Sequence, residues 1–299
     1  MIHEHMTQWF GLPVEEYDPG ETSGAVIQRL GYTYDNESFT PQVLADYLDD
    51  PRASRLTALV LGMPGESGES FDEVIQVIVE RAPKLQHLRG IFLGDIIGEE
   101  NEMSWIEQGD VGLILAAFPK LEELRIRGGS SLKLSPGSNP GLKRLYIETG
   151  GMPAEVLHNL ARCELPQLEH LELWLGEDNY GWNGTINDVL PVIEPGRFPA
   201  LKSLALKNSE IQNEIAELMA TAAIVGQLEF LDLSDGTMTD EGAEKLIASE
   251  AIRGLIGLDL HRNFLTDATI PRLQNLCERV DVSNQEKYDG EYYYIAVGE

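Results

Sequence analysis

The sequence predicts an α/β solenoid in which a parallel sheet is backed by a row of helices. Three observations predict it. First, Leu-x-x-Leu-x-Leu, or a near variant, recurs from Leu56, Leu85, Leu121, Leu142, Leu168, Leu201, Leu228, Leu255 and, degenerate, Cys277. Second, each motif alternates apolar and polar residues, as a half-buried strand does. Third, turn residues follow, and then apolar residues at helical spacing. A unit of this kind cannot bury its apolar face alone, so the units must stack.

The elements follow in order. Residues 1–50 do not match the repeat. Within them Ala25–Tyr34 reads as one strand, or two short ones broken at Gly31, and Thr40-Pro41 opens a helix running to Leu48, with proline at its first position. The open end of a solenoid must be covered, so 1–50 is expected to be an N-terminal extension and cap. Residues 51–285 hold about nine units, spaced by roughly 28 residues on average, which is the period of leucine-rich repeats. The unit at Leu228 shows the reading in detail. Leu231 and Leu233 point to one side, and Phe230, Asp232 and Ser234 to the other. Asp235-Gly236 is a turn pair, with glycine supplying the positive φ. Thr239 and Asp240 cap a helix that carries Ala243, Leu246 and Ile247. The unit at Leu255 repeats the scheme, with Leu258, Leu260, Asn263, Thr266-Asp267, Ile270 and Leu273. Residues 286–299 form a polar turn at Lys287–Gly290 and then the β-prone run Tyr292-Tyr-Tyr-Ile-Ala-Val, expected to be a last strand or cap.

Leu231-Asp-Leu-Ser-Asp-Gly-Thr-Met-Thr-Asp-Glu-Gly-Ala and Leu258-Asp-Leu-His-Arg-Asn-Phe-Leu-Thr-Asp resemble the ribonuclease-inhibitor type of leucine-rich repeat. More narrowly, the chain is similar to a family of uncharacterised bacterial cytoplasmic repeat proteins. That likeness is carried by Phe92-Leu-Gly-Asp-Ile, Glu102-Met-Ser-Trp-Ile, Glu164-Leu-Pro-Gln-Leu-Glu-His-Leu-Glu-Leu-Trp-Leu-Gly and Asn208-Ser-Glu-Ile. The resemblance implies a horseshoe with the parallel sheet on its concave face and helices on its convex face. It implies no activity.

Of 299 residues, 42% are hydrophobic, enough for a large core in one elongated domain. No run of 18 apolar residues occurs and the start lacks a cationic region followed by an apolar run, so a cytoplasmic protein without a membrane span is expected. Cys163 and Cys277 are expected to be buried, reduced thiols. The glycosylation-like triplets at Asn36 and Asn183 carry no weight without secretion. The net charge of −28 is spread along the chain and disfavours nucleic acid, whose phosphates it would repel. It serves solubility, or it steers a basic or mixed-charge protein partner. Residues 120–144 are the one basic island, with six basic and two acidic side chains.

No phosphate loop, metal motif or catalytic triad is visible, so no cofactor, no metal and no catalytic residue are predicted. His3 and His5 fall in a terminus expected to be disordered. The strand positions facing away from the core give the best site, because neighbouring strands bring them together. From these positions, and from the loop that holds Tyr180-Gly-Trp182, the predicted binding residues are Arg125, Arg127, Arg144, Tyr146, Glu172, Trp174, Trp182, Asp232, Asp259 and His261. Arginines and large aromatics are common interface anchors. Arg125, Arg127, Arg144, Tyr146 and Trp174 are expected to form one patch. Asp232, Asp259 and Asp281 share a slot in three successive units and should stack, with Arg279 or His261 as the compensating cation. The expected function is a non-enzymatic protein-interaction scaffold that binds a macromolecule on its concave face. The alternative is an enzyme, or a metal-dependent enzyme subunit, that uses the inner-face carboxylates.

Overall fold

A computed structural model of the chain describes residues 2–17, 26–32 and 39–298. Ala25, Thr33, Tyr34 and the Asn36–Ser38 triplet lie outside the described residues. The chain divides into two compact units: Met1–Ile147 with Arg162–Pro166, and Glu148–Ala161 with Gln167–Gly298.

In the first unit the strands are β1 (Gln8–Trp9), β2 (Leu12–Glu16), β3 (Ile27–Leu30), β4 (Ala58–Leu61), β5 (Gly90–Leu93), β6 (Glu123–Arg127) and β7 (Arg144–Glu148). β1 and β2 pair antiparallel, and β2 through β6 then pair in parallel. The helices are α1 (Pro41–Asp49), α2 (Asp72–Arg81) and α3 (Gly112–Ala117). Thr40 caps α1 by accepting the Val43 N–H, with Pro41 at the first position as expected. Leu59, Ile91 and Leu124 stand side by side, as do Leu61, Leu93 and Ile126, and all are buried.

The N-terminus departs from expectation. Where disorder is expected around His3 and His5, the described residues 6–10 lie over the opposite face of this sheet before β2 joins its edge. Trp9 packs on Ile27, Ala58, Val60 and Phe92, with Met6, Phe10, Leu12 and Val14 around it. Gly90 leaves the room for this, since a Cβ there would collide with Trp9 and Phe10. A buried arginine holds the segment down. Arg29 donates to Asp95 Oδ2 at 3.2 Å, Glu100 Oε2 at 2.9 Å and Glu16 Oε1 at 2.9 Å, and to the Asp95 carbonyl at 2.7 Å. His5 adds contacts of 3.5 Å to Asp95 and to Glu100. Those two carboxylates outweigh burial and hold the His5 imidazole up at about 9.

The second unit carries β8 (His170–Gly176), β9 (Ser203–Ser209), β10 (Phe230–Asp232), β11 (Gly257–Asp259) and β12 (Arg279–Asp281), all in parallel. Its helices are α4 (Ala154–Leu160), α5 (Ile186–Val189), α6 (Gln212–Thr221), α7 (Asp240–Ala248) and α8 (Ile270–Leu273). The register aligns Leu171, Leu204, Leu231, Leu258 and Val280 across the five strands. Thr239 caps α7 by accepting the Glu241 N–H. The turn after β10 is solved differently from expectation. Asp235, not Gly236, takes the positive φ, and Asn208, Arg262 and Asn284 do the same at the matching place in neighbouring units. Asn263 satisfies the turn behind it, donating to the Leu233 and Leu260 carbonyls and accepting the Met238 N–H. The C-terminal run forms no strand among the described residues. It folds back instead, where Val297 exchanges hydrogen bonds with the Asn208 side chain and the Ala296 N–H reaches the Asp235 carbonyl. Cys163 is buried, whereas Cys277 is only half-buried and hydrogen-bonds the Arg279 carbonyl at 3.3 Å. Burial pushes the Cys277 thiol up.

Candidate functional site

Apart from Trp182, the predicted residues fall into one group in each unit, Arg125, Arg127, Arg144 and Tyr146 in the first and Trp174 with the others in the second. In the first unit Arg125 and Arg144 both reach Glu123, each at 2.5 Å, and Glu123 is buried. Arg125 also lies 3.7 Å from the centre of the Tyr146 ring. Arg127 is buried, stacks on Phe92 and donates to the Ile96 carbonyl at 2.8 Å. Arg144 stands 6.0 Å from the Phe10 ring of the covering N-terminus. Lys143 and Arg89 both pair with Glu122, whose carboxyl Arg89 and Lys143 hold at about 2. The island's own two carboxylates therefore pair with three of its six cations, and its inner face is partly roofed by Phe10.

In the second unit the strand alternation leaves an open face. Glu172, Ala205, Asp232, Asp259 and Asp281 share one row across β8–β12, because the parallel register sets them side by side. A cation not expected among them is Lys207, one pleat further along β9. Its Nζ lies 3.0 Å from Asp235, 3.4 Å from Asp232 and 5.3 Å from the centre of the Trp174 ring. Trp174 donates its indole N–H to Glu172 at 2.7 Å, and His170 approaches the same carboxylate at 3.5 Å. His261 bridges Asp259 at 2.8 Å and Asp235 at 3.3 Å, one ring nitrogen to each. Arg279, the other expected cation, is turned over the Phe230 ring.

The protonation states follow from this network. Burial opposes charge on Lys207, but Asp232, Asp235 and Glu172 hold its ammonium well above the usual value. Burial likewise opposes charge on Asp235, yet His261 and Lys207 keep its carboxyl at about 2. For Glu172 burial is again outweighed, by His170, Lys207 and the Trp174 N–H, and its carboxyl sits below the usual range. Asp232 goes the other way: burial pushes it up despite Lys207. Asp235 and then Asp259 raise His261 to about 10. The Ser283 hydroxyl and N–H lower Asp281.

The repeated aspartates also have a local role. Asp232, Asp259 and Asp281 each accept the backbone N–H two residues on, at 2.9, 2.9 and 2.8 Å. Each thereby ends its own strand and sets the following turn. In these three units Oδ1 is used in this way, and in Asp232 the other oxygen, Oδ2, meets Lys207.

No protein-family model matches the chain, and no curated protein matches it. Among solved structures, a Bacteroides fragilis protein determined as a structural-genomics target is 34% identical to it. The match covers 91% of this chain and 77% of that one, with a TM-score of 0.83. The chain belongs to the family of that Bacteroides protein. An internalin from Listeria monocytogenes is 16% identical over 81% of this chain and 73% of its own, with a TM-score of 0.37, a likeness too slight to carry an argument. No helix among the described residues is long and apolar enough to cross a membrane.

Within this family member, the open face of β8–β12 holds a groove of about 520 Å³. His170, Asp232, Asp259, Asp281, Phe230 and Arg279 supply its polar and aromatic lining. Phe230 is exposed and leans over Gly257, where a Cβ would meet its ring at 2.7 Å. Trp182 is not part of this face. It is 3% exposed and packs beneath its own loop against Gly184, so its role is in the core. Sequence reasoning did not select Lys207 as a site residue, and it read Asp235 only as a turn. Lys207 was visible as a lone lysine on the polar face of an apolar strand. Asp235 carried no such signal, because its side chain turns inward only through the positive φ.

Proposed function

We propose that the chain is a bacterial, cytoplasmic leucine-rich-repeat protein that serves as a non-enzymatic scaffold and binds a basic segment of a protein partner on the β8–β12 face. The solenoid reading is supported by the aligned Leu171, Leu204, Leu231 and Leu258 and by the turns repeated from unit to unit. The binding reading is carried by one observation, the groove in which aspartates from three adjacent strands flank the exposed Phe230. Such a surface offers an apolar contact and rows of acceptors to cationic side chains. In this scheme 1–50 extends and caps the array, 51–285 forms the repeats and 286–299 closes the other end. The test is affinity capture at low and high salt, with wild type beside the Asp259→Asn/Asp281→Asn variant. A basic partner that is retained at low salt and lost in the variant supports the proposal. An acidic partner held equally by both proteins in high salt refutes it.

The enzyme alternative draws on one observation. Ligand atoms of Asp259, His261 and Asp281 lie within 4.8 Å of one another, as a metal site would require. Against it, both His261 nitrogens are engaged with carboxylates, and a metal would have to displace a proton held at about 10. The imidazolium itself fills the place of the cation.

A further inference from the structure

A second surface of the same unit is built from aromatic rings and acids. Tyr288, Tyr292, Tyr293 and Tyr294 are all exposed large aromatics within seven residues of chain. They are not scattered. Tyr288 and Tyr293 stack at 4.6 Å, and Phe264 meets Tyr293 and Tyr294 edge-on at 4.9 and 5.5 Å. Phe264 is buried and anchors the group to the loop before α8. Beside the rings runs a cleft of about 460 Å³, lined by Asp240, Glu241, Asp267 and Glu286 and by Tyr288 and Tyr293, whose mutual stacking leaves one face of the Tyr288 ring uncovered by its neighbour. Lys287 is the only cation on its wall.

We propose that this cleft binds an arginine side chain of a partner protein. A guanidinium is flat, stacks on tyrosine faces and pairs with carboxylates through its edge, and the cleft offers both kinds of surface together. Among the described residues, no arginine or lysine lies over Tyr288 or Tyr293. Of the acids, Asp240 holds Thr266 and Glu286 reaches Arg262 at 3.4 Å. Asp267 is exposed and has no ion-pair partner among the described residues. Asp240 and Glu241 stand in the first turn of α7, so their charges reverse the positive sign its N-terminus would otherwise present. The residues differ from those of the β8–β12 face, so this site stands whether or not that face binds anything.

The test uses the full chain and a blocked pentapeptide with one arginine flanked by glycines, followed by NMR of the tyrosine rings and by competition. The arginine peptide should shift the Tyr288 and Tyr293 ring resonances. Affinity should fall at least tenfold when arginine is replaced by citrulline, which is isosteric and uncharged. Tyr288→Ala and Asp267→Asn are exposed changes that leave the core intact, and each should weaken binding severalfold, whereas Lys287→Ala should strengthen it. Equal binding of the citrulline peptide, equal binding of a lysine peptide, or undiminished arginine binding by Tyr288→Ala and Asp267→Asn would each overturn the proposal.

Discussion

Replacing Lys207 with methionine keeps the aliphatic stem and removes the charge on which the second unit's polar network converges. The Lys207 side chain is only 10% exposed, and it pairs with Asp235 at 3.0 Å and Asp232 at 3.4 Å. Removing one partner of a buried pair costs ~3–5 kcal/mol when nothing else compensates. Compensation here is partial, because Asp235 keeps His261 at 3.3 Å and the Asp232 side chain is 27% exposed to water. The cost therefore falls to the lower end, and losing the Trp174 ring contact adds ~0.5–1 kcal/mol. About 3.5–4 kcal/mol in all is expected at pH 7. Urea unfolding followed by tryptophan fluorescence measures it, and its pH dependence identifies the cause. Asp235 sits at about 2 in the folded chain against an ordinary 3.8. Its contribution is therefore complete above 3.8 and is lost as pH falls toward 2. Without Lys207 that contribution shrinks, so the gap between wild type and Lys207→Met is widest at neutral pH and closes on acidification. A gap under ~0.5 kcal/mol at pH 7, or one that stays constant down to acid pH, would refute the reasoning.

Three further outcomes follow from the same structure. Leu231→Ala empties a position 1% exposed and should cost ~2–5 kcal/mol in urea unfolding, and a negligible shift would remove Leu231 from the core. His261 is raised from 6.5 to about 10, so its contribution is complete below 6.5 and is lost as pH rises through about 10. The alkaline fall in urea midpoint should flatten in His261→Gln, and an unchanged slope would show that the imidazolium is not held as described. Arg29→Met leaves Asp95 buried beside Glu100 without its guanidinium, and amide exchange at Met6 and Val14 should accelerate at least tenfold. Unaltered protection there would mean that the N-terminus is held by Trp9 packing alone.

The leucine ladder of the second unit was legible because period-two alternation is imposed by burial on one face only. β8 alternates half-buried and buried residues, and β10 and β11 alternate likewise. The aspartate slot was legible for the same reason, since equal spacing from the leucines places equal residues on adjacent strands. The contacts of those aspartates were not legible. Lys207 meets Asp235 only because Asp235 adopts a positive φ, and His261 reaches back to Asp235 from the next unit. Arg29 was invisible as a hub because its partner Asp95 lies 66 residues away, with no pattern linking the two.

The covering of the first unit did leave a trace, in strands that fail to alternate. Ile27–Leu30, Ala58–Leu61 and Gly90–Leu93 are buried at every position. Ala-Leu-Val-Leu and Gly-Ile-Phe-Leu are continuous apolar runs, the pattern of a strand with protein on both sides. Something must lie over Val60 and Phe92, and the sequence before β3 supplies Met6, Trp9, Phe10, Leu12 and Val14. The same criterion locates the open face. In the second unit β9 is buried at Ala205 and Lys207, but the positions opposite the leucines on the other strands include His170, Glu172, Trp174, Phe230, Asp232, Gly257, Asp259, Arg279 and Asp281, a mixture no apolar segment could cover without stranding buried charges. The strand pattern therefore distinguishes the face that is sealed in the fold from the face that stays open.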